Sequence, residues 1–321
     1  MGRGAFHPSR EMTSPRGMDL YLPIAGLSVN ILVIIGLGGL VGILSGMFGV
    51  GGGFLTTPLM IFYGIPPAVA VASSAPQITG ASVSGVLAHG NRDGVDYHMG
   101  AVLVVGGAIG SLIGGFLFRI LQDVGQIDTV VSVMYVVMLG GIGIFMARDA
   151  IHALLAEWRG ERPTSTSKRH HPLIAVLPFR WRFYRSGLYI SPLAPLLLGF
   201  ATGIMTVLMG VGGGFILVPA MIYLLGMSAR VVVGTSLFQI LFVTAATTLV
   251  HAMTTQKVDL VLTGLLLIGS VTGAQFGARF AMKMKPEYLR LILAFIVLVV
   301  AIRMLLGLTW RPPEIFTVQA L

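Results

Sequence analysis

The chain of 321 residues is 55% hydrophobic and only 10% charged, with a mean hydropathy of +0.89, which excludes an ordinary soluble domain, about a quarter of which is charged. It has no cysteine, which excludes disulfides, thiolate metal sites and thiol-relay chemistry. The net charge of +9 is not a nucleic-acid signature, because much of it lies in two stretches between the halves, EWRGERPTSTSKRHH and FRWRFYR, where a membrane protein carries its cytoplasmic positive charge.

Residues 1–21 read as a polar N-terminal tail bearing Arg3, Arg10 and Arg16, with no apolar core before Leu20, so no cleavable signal peptide is expected and the first span directs insertion. Apolar runs of about 20 residues then recur, each long enough to cross a ~30 Å hydrocarbon layer as a helix. A run such as LRLILAFIVLVVAIRMLLGL lacks the period-2 alternation of a lipid-exposed strand. The expected fold class is an all-α polytopic membrane protein. The first repeat, 22–158, divides into five helical segments at 22–48, 52–64, 67–90, 98–121 and 127–150. The second segment reaches only ~20 Å at about 1.5 Å per residue, so it is expected to be a half-helix, a re-entrant piece or one arm of a broken span. The third is interrupted by SSAPQ, where Pro76 is expected to loosen the helix. A basic cytoplasmic loop, 159–190, leads to the second repeat, 191–310, and a C-terminal tail, 311–321.

The halves match residue by residue. The string GVGGGF occurs at Gly49–Phe54 and again at Gly210–Phe215, and at the same offset Gly38, Gly42, Ser45, Pro58, Met60 and Ile61 meet Gly199, Gly203, Thr206, Pro219, Met221 and Ile222. One inserted residue later, Gly64, Ser73, Ser74, Gln77 and His89 meet Gly226, Thr235, Ser236, Gln239 and His251. After one more, Asp96, Gly106, Gly110 and Gly114 meet Asp259, Gly269, Gly273 and Gly277. This order marks an internal duplication. Counting Lys and Arg on the two sides does not decide between five and four crossings per half. The cluster Arg279, Lys283, Lys285 and Arg290 favours five, because four would place it outside, whereas the arginine-bearing N-terminus favours four, and the cluster is given the greater weight. An inverted repeat is therefore expected over a parallel four-plus-four arrangement.

A non-helical glycine loop inside a span is tolerated only where it is buried or lines a cavity. The glycines of the two strings, Gly49, Gly51, Gly52 and Gly53 and Gly210, Gly212, Gly213 and Gly214, can each expose main-chain N–H groups, and the helix that follows adds the positive end of its dipole. Together they are expected to cradle an anion without a buried lysine or arginine. Close helix packing is the competing reading of such glycines. Ser73, Ser74 and Gln77, matched by Thr235, Ser236 and Gln239, place neutral donors at i, i+1 and i+4 and are the second candidate set, with interhelical bonding or bonding to the i−4 carbonyl as the alternative. The glycines spaced by four from Gly106 and from Gly269 read as packing surfaces. His89, His251, Arg92 and Lys257 sit by the turns after the third segments and are candidates for gating or proton-linked roles, against ordinary turn residues. None of the twelve acidic residues falls near the middle of an expected span, which disfavours carboxylate-based ion coupling. HExxH, GxxxxGK[ST] and clustered cysteine–histidine motifs are absent from the sequence, so no catalytic residue, metal site or cofactor is expected.

The duplicated GVGGGF followed by Pro58 or Pro219, the polar turn with Asp96 or Asp259 and the glycine-spaced helix after it resemble the sulfite exporter TauE/SafE family of anion permeases, over nearly all of residues 22–309. The resemblance implies transport of sulfite, or of a C2 organosulfonate such as sulfoacetate, across the bacterial inner membrane. It also implies eight spans in two four-span halves, at odds with five segments unless the short helices belong to broken spans. The expected protein is a secondary transporter, not an enzyme, that exports a small anion by alternating access between its repeats. Its expected partners are the anionic substrate, membrane lipids and a second copy in a homodimer, with no nucleic acid. An importer of another small anion or a nucleobase is the alternative, and a membrane-embedded enzyme a weaker one.

Overall fold

The apolar run that begins at Leu20 does not start as a helix. In the computed structural model, which describes residues 19–48, 53–90, 94–158, 181–281 and 286–309, strands β1 (Asp19–Leu22) and β2 (Leu27–Asn30) form an antiparallel hairpin. Its turn holds Pro23 and a left-handed Gly26, with φ +69°. Helix α1 (Ile31–Phe48) therefore begins nine residues later than the expected start at 22. Then come α2 (Gly53–Phe62), α3 (Pro67–Gly90), α4 (Tyr97–Asp123) and α5 (Ile127–Trp158). After the basic segment the same order returns. Strands β3 (Trp181–Phe183) and β4 (Leu188–Ile190) turn through Gly187, and α6 (Leu193–Met209), α7 (Gly214–Tyr223), α8 (Ala229–Thr254), α9 (Leu260–Ala281) and α10 (Pro286–Thr309) follow.

Five of these helices, within α4, α5, α8, α9 and α10, are long and apolar enough to cross a membrane. The outer faces carry exposed large apolar side chains such as Leu112, Phe116, Val137 and Phe295. In water such a surface would be a liability, whereas against lipid it is the expected finish. The protein is a multi-pass α-helical membrane protein. The ten-residue α2 and α7 reach only ~15 Å and cannot span alone. Contrary to expectation, α3 stays helical through Pro76. Proline removes an N–H and crowds the carbonyl four residues back, but here the neighbouring Ser73 carbonyl accepts from Thr263 Oγ1 of α9 at 3.1 Å. The carbonyl that loses its donor is that of Ala72, so this bond ties the turn to α9 without replacing the missing one.

Glycine sets how the long helices meet. A Cβ on Gly38, Gly42 or Gly46 of α1 would stand 2.5, 2.3 or 2.2 Å from the carbonyl oxygens of Leu266, Ser270 and Ala274 of α9. On the other side of the molecule, a Cβ on Gly106 or Gly110 of α4 would stand 2.1 or 2.2 Å from the carbonyls of Leu196 and Phe200 of α6. Backbone-to-backbone contact at this range is open only to glycine. Both seams match rising residue numbers with rising ones, so each pair of helices is parallel. The last helices of the two halves are antiparallel, since Ser132 of α5 lies by Met304 and Gly307 of α10 while Met146 lies by Leu293. Between the seams α3 and α8 cross, with Thr79 Oγ1 and Thr244 Oγ1 2.8 Å apart.

Candidate functional site

The two short helices start side by side in the buried interior. Phe54, next to the first residue of α2, stacks on Phe215, next to the first residue of α7, with ring centroids 4.5 Å apart and planes 7° from parallel. Both rings are buried. Gly49, Gly51 and Gly52 of the first string lie outside the described residues. Gly53 opens α2 so close to the second string that a Cβ would fall 2.8 Å from the Val211 carbonyl oxygen. The ends of the two strings are thus in contact.

The second string is a joint of left-handed glycines. Gly210 (φ +69°) closes α6, its N–H bonding to the Thr206 carbonyl at 2.8 Å, and Gly212 (φ +73°) and Gly213 (φ +74°) turn the chain into α7. Among the described residues the N–H groups of Gly212 and Gly213 meet no hydrogen-bond acceptor, and the first N–H groups of a helix have no intrahelical one. No side chain caps α7. Successive left-handed or turn residues at a helix start form a concave row of N–H donors, an arrangement that binds anions.

Neutral hydroxyls and amides surround the joint. Thr57 Oγ1 lies 2.7 Å from Ser74 Oγ, whose own proton goes to the Ala70 carbonyl at 2.6 Å, so Thr57 is the donor between them. Thr56 Oγ1 donates to Gln77 Oε1 at 3.4 Å, and Gln239 Nε2 to Thr202 Oγ1 at 3.5 Å. Thr202 and Thr206 face Gly213, where an added Cβ would come within 3.2 Å of Thr202 Cβ and 3.3 Å of Thr206 Oγ1. Tyr135 of α5 donates its hydroxyl to the Met209 carbonyl at the edge of the joint. A groove of about 240 Å³ between α5, α7 and α10, lined by Met146, Asp149, Pro219 and Tyr223 among others, reaches inward to Phe215.

Other expected site residues are held elsewhere. Ser73 Oγ accepts the Asp259 N–H at 3.0 Å, and Thr235 Oγ1 accepts the Asp96 N–H at 2.9 Å, so each hydroxyl ties the third helix of its own half to the opposite half. The two aspartates cap α9 and α4, Asp259 Oδ1 accepting from Leu262 N at 3.0 Å and Asp96 Oδ1 from Met99 N at 3.1 Å. Ser236 Oγ donates to the Val233 carbonyl of its own helix. His251 is fully buried, with Nε2 3.1 Å from the Val207 carbonyl oxygen, Nδ1 3.3 Å from Thr255 Oγ1 and its ring edge-on to Phe118. It therefore fastens the end of α8 to α6. Lys257 is half-buried in the following turn. Arg92 lies outside the described residues, and His89 falls within α3 but outside those whose side chains are described.

Thr56, Thr57 and Thr202 were not singled out from the sequence, although the first two follow the glycine string after Leu55 and Thr206 pairs with Ser45 across the halves. Among the described residues no three of His, Asp and Glu gather as a metal site. Among the described residues the joint is surrounded by main-chain N–H groups, hydroxyls and amides, with no charged side chain in hydrogen-bond contact with it.

The family model described as "Sulfite exporter TauE/SafE" matches residues 34–304. The chain is similar to "Probable membrane transporter protein YunE" of Bacillus subtilis, 26% identical over 87% of this chain and 98% of that protein. It is likewise similar to "Probable membrane transporter protein YjnA" of the same organism, 27% identical over 87% of this chain and 100% of that protein. A "Probable membrane transporter protein" of Xylella fastidiosa is 26% identical over 88% of this chain and 96% of that protein. No solved structure matches the chain.

Proposed function

The chain belongs to the sulfite exporter TauE/SafE family of membrane transporters, and from that premise we propose that it exports a small sulfur oxyanion, sulfite or a C2 organosulfonate, across a bacterial inner membrane. The observation that carries this reading is the left-handed glycine joint at Gly210–Gly213, where the N–H groups of Gly212 and Gly213 meet no acceptor among the described residues and sit among neutral hydroxyls and amides in the interior. A midplane site built from helix N-termini suits an anion, because the dipole and the N–H groups attract negative charge without adding a buried cation.

The halves act as two copies of one unit in inverted orientation. The antiparallel course of α5 and α10 supports this, because repeats related by an axis in the membrane plane reverse the direction of equivalent helices. The matched glycine seams, α1 with α9 and α4 with α6, support the equivalence of the two copies. Transport then proceeds by rocking one unit against the other, exposing the site to each side in turn, with the central basic segment in the cytoplasm.

Energetics favour export. A monovalent anion leaving an inside-negative cell gains about 2.3 kcal/mol per 100 mV, so no coupling ion is required, whereas uptake is opposed by as much. In proteoliposomes, sulfite efflux is expected to accelerate when the potential inside is made negative and to slow when it is reversed. Flux that ignores the imposed potential defeats the uncoupled, electrogenic mechanism.

A further inference from the structure

We propose that the transported anion carries a hydrogen-bond donor of its own, so that the occupant is a singly charged, protonated oxyanion of the hydrogensulfite type rather than a dianion or an organosulfonate. This rests on the transport reading above and narrows it. Gln239 of α8 is completely buried. Its amide orientation is set by its neighbour, since the one hydroxyl proton of Thr202 goes to the Gly199 carbonyl at 2.9 Å. Thr202 Oγ1 can then only accept, and the group facing it at 3.5 Å must be the amide nitrogen. Gln239 Oε1 is turned away, and among the described residues no donor reaches it. Its counterpart in the first half, Gln77, has its Oε1 supplied by Thr56.

The amide that carries the bare oxygen is linked to the glycine joint through one side chain. Thr202, which holds the other end of the amide, packs with Thr206 on Gly213 at the start of α7. A buried acceptor loses its hydration and gains nothing unless a donor arrives. The proposed site joins the main-chain donors of the joint to this one acceptor. An oxyanion that retains one proton answers both, placing its oxygens on the N–H groups and its O–H on Gln239 Oε1. A dianion sets a negative oxygen against that carbonyl, and a sulfonate sets carbon there. The proton then crosses as part of the substrate, and no titrating carboxylate is needed in the interior.

The test uses the full chain in proteoliposomes. At pH 6, labelled sulfite flux is challenged with unlabelled sulfite and with methanesulfonate, a monoanion that has three bare oxygens and a methyl group but no hydroxyl to donate. Methanesulfonate is expected to compete at least about tenfold less well, because a site built to bind a hydroxyl discriminates strongly against an analogue lacking it. Gln239→Met, similar in volume but without the acceptor, is expected to bring the two within about twofold. Independently of that variant, wild-type flux at constant total sulfite is expected to fall with the hydrogensulfite fraction as pH rises from 6 to 8.5. Competition by methanesulfonate within about twofold in the wild type, discrimination that persists in Gln239→Met, or flux that follows total sulfite overturns the proposal while leaving sulfur oxyanion transport standing. Absence of any sulfite flux in the wild type overturns both.

Discussion

Gly213→Val is expected to reduce anion flux at least about a hundredfold while the protein remains folded. Gly213 sits at φ +74°, where an L-residue costs about 1–2 kcal/mol and a β-branched one is worse placed still. Its new Cβ would press on Thr202 Cβ at 3.2 Å and Thr206 Oγ1 at 3.3 Å, so the turn must reopen and its N–H groups swing away. A hundredfold is the lower end of what loss of one preorganised donor to an oxyanion costs in enzymes. Gly187→Val is the matching control. It carries similar backbone strain at φ +64°, but nothing lies within 4 Å of the added atom, and it is in the β3–β4 turn away from the joint. Flux per folded protein, with folding checked by gel filtration and circular dichroism, should therefore collapse in the first variant and persist in the second.

A substitution in a helix seam should act on the fold itself. Gly203→Leu is expected to yield little or no folded protein, with a destabilisation of more than about 3 kcal/mol, beyond the usual range for an overpacked core. The added Cβ would stand 2.2 Å from the Gly107 carbonyl oxygen and 2.9 Å from its Cα. Both obstacles are backbone, so no rotamer change relieves them, and α4 and α6 must separate along their whole length. Gly141→Leu, in α5 with nothing within 4 Å, should be tolerated. Monodisperse yield in detergent and the thermal unfolding midpoint check the pair, and equal behaviour of the two variants would remove the close seam from the account.

Much of this was legible in the sequence because glycine is used for reasons that leave a pattern. Serial glycines spaced by four announced helix surfaces that meet backbone to backbone, and Gly106, Gly110, Gly269 and Gly273 lie in such seams. The second GVGGGF string announced a break between helices, and φ values of +69° to +74° at Gly210, Gly212 and Gly213 explain why only glycine serves there. The hairpins were hidden because strands of three or four residues are too short to impose an alternating pattern on an apolar run. Continuity of α3 through Pro76 arises in a packed interior that local propensity does not report, with Ala72, Ala75 and Ile78 all fully buried. The i, i+1, i+4 spacing of Ser73, Ser74 and Gln77 fixed their helix faces but not their partners. Only the packing of the halves against each other brings Asp259 to Ser73 and Asp96 to Thr235.

The account depends on negative charge being held by main-chain donors within the bilayer's interior. The most direct measurement is an experimental structure with selenite, whose selenium is located by anomalous scattering. The expected peak lies within about 4 Å of the nitrogens at 213–215, bringing selenite oxygens to the usual ~3 Å from those donors, beside Gln239 and the Phe54–Phe215 stack. A peak confined to the headgroup level, or a cation at the joint in its place, would contradict it.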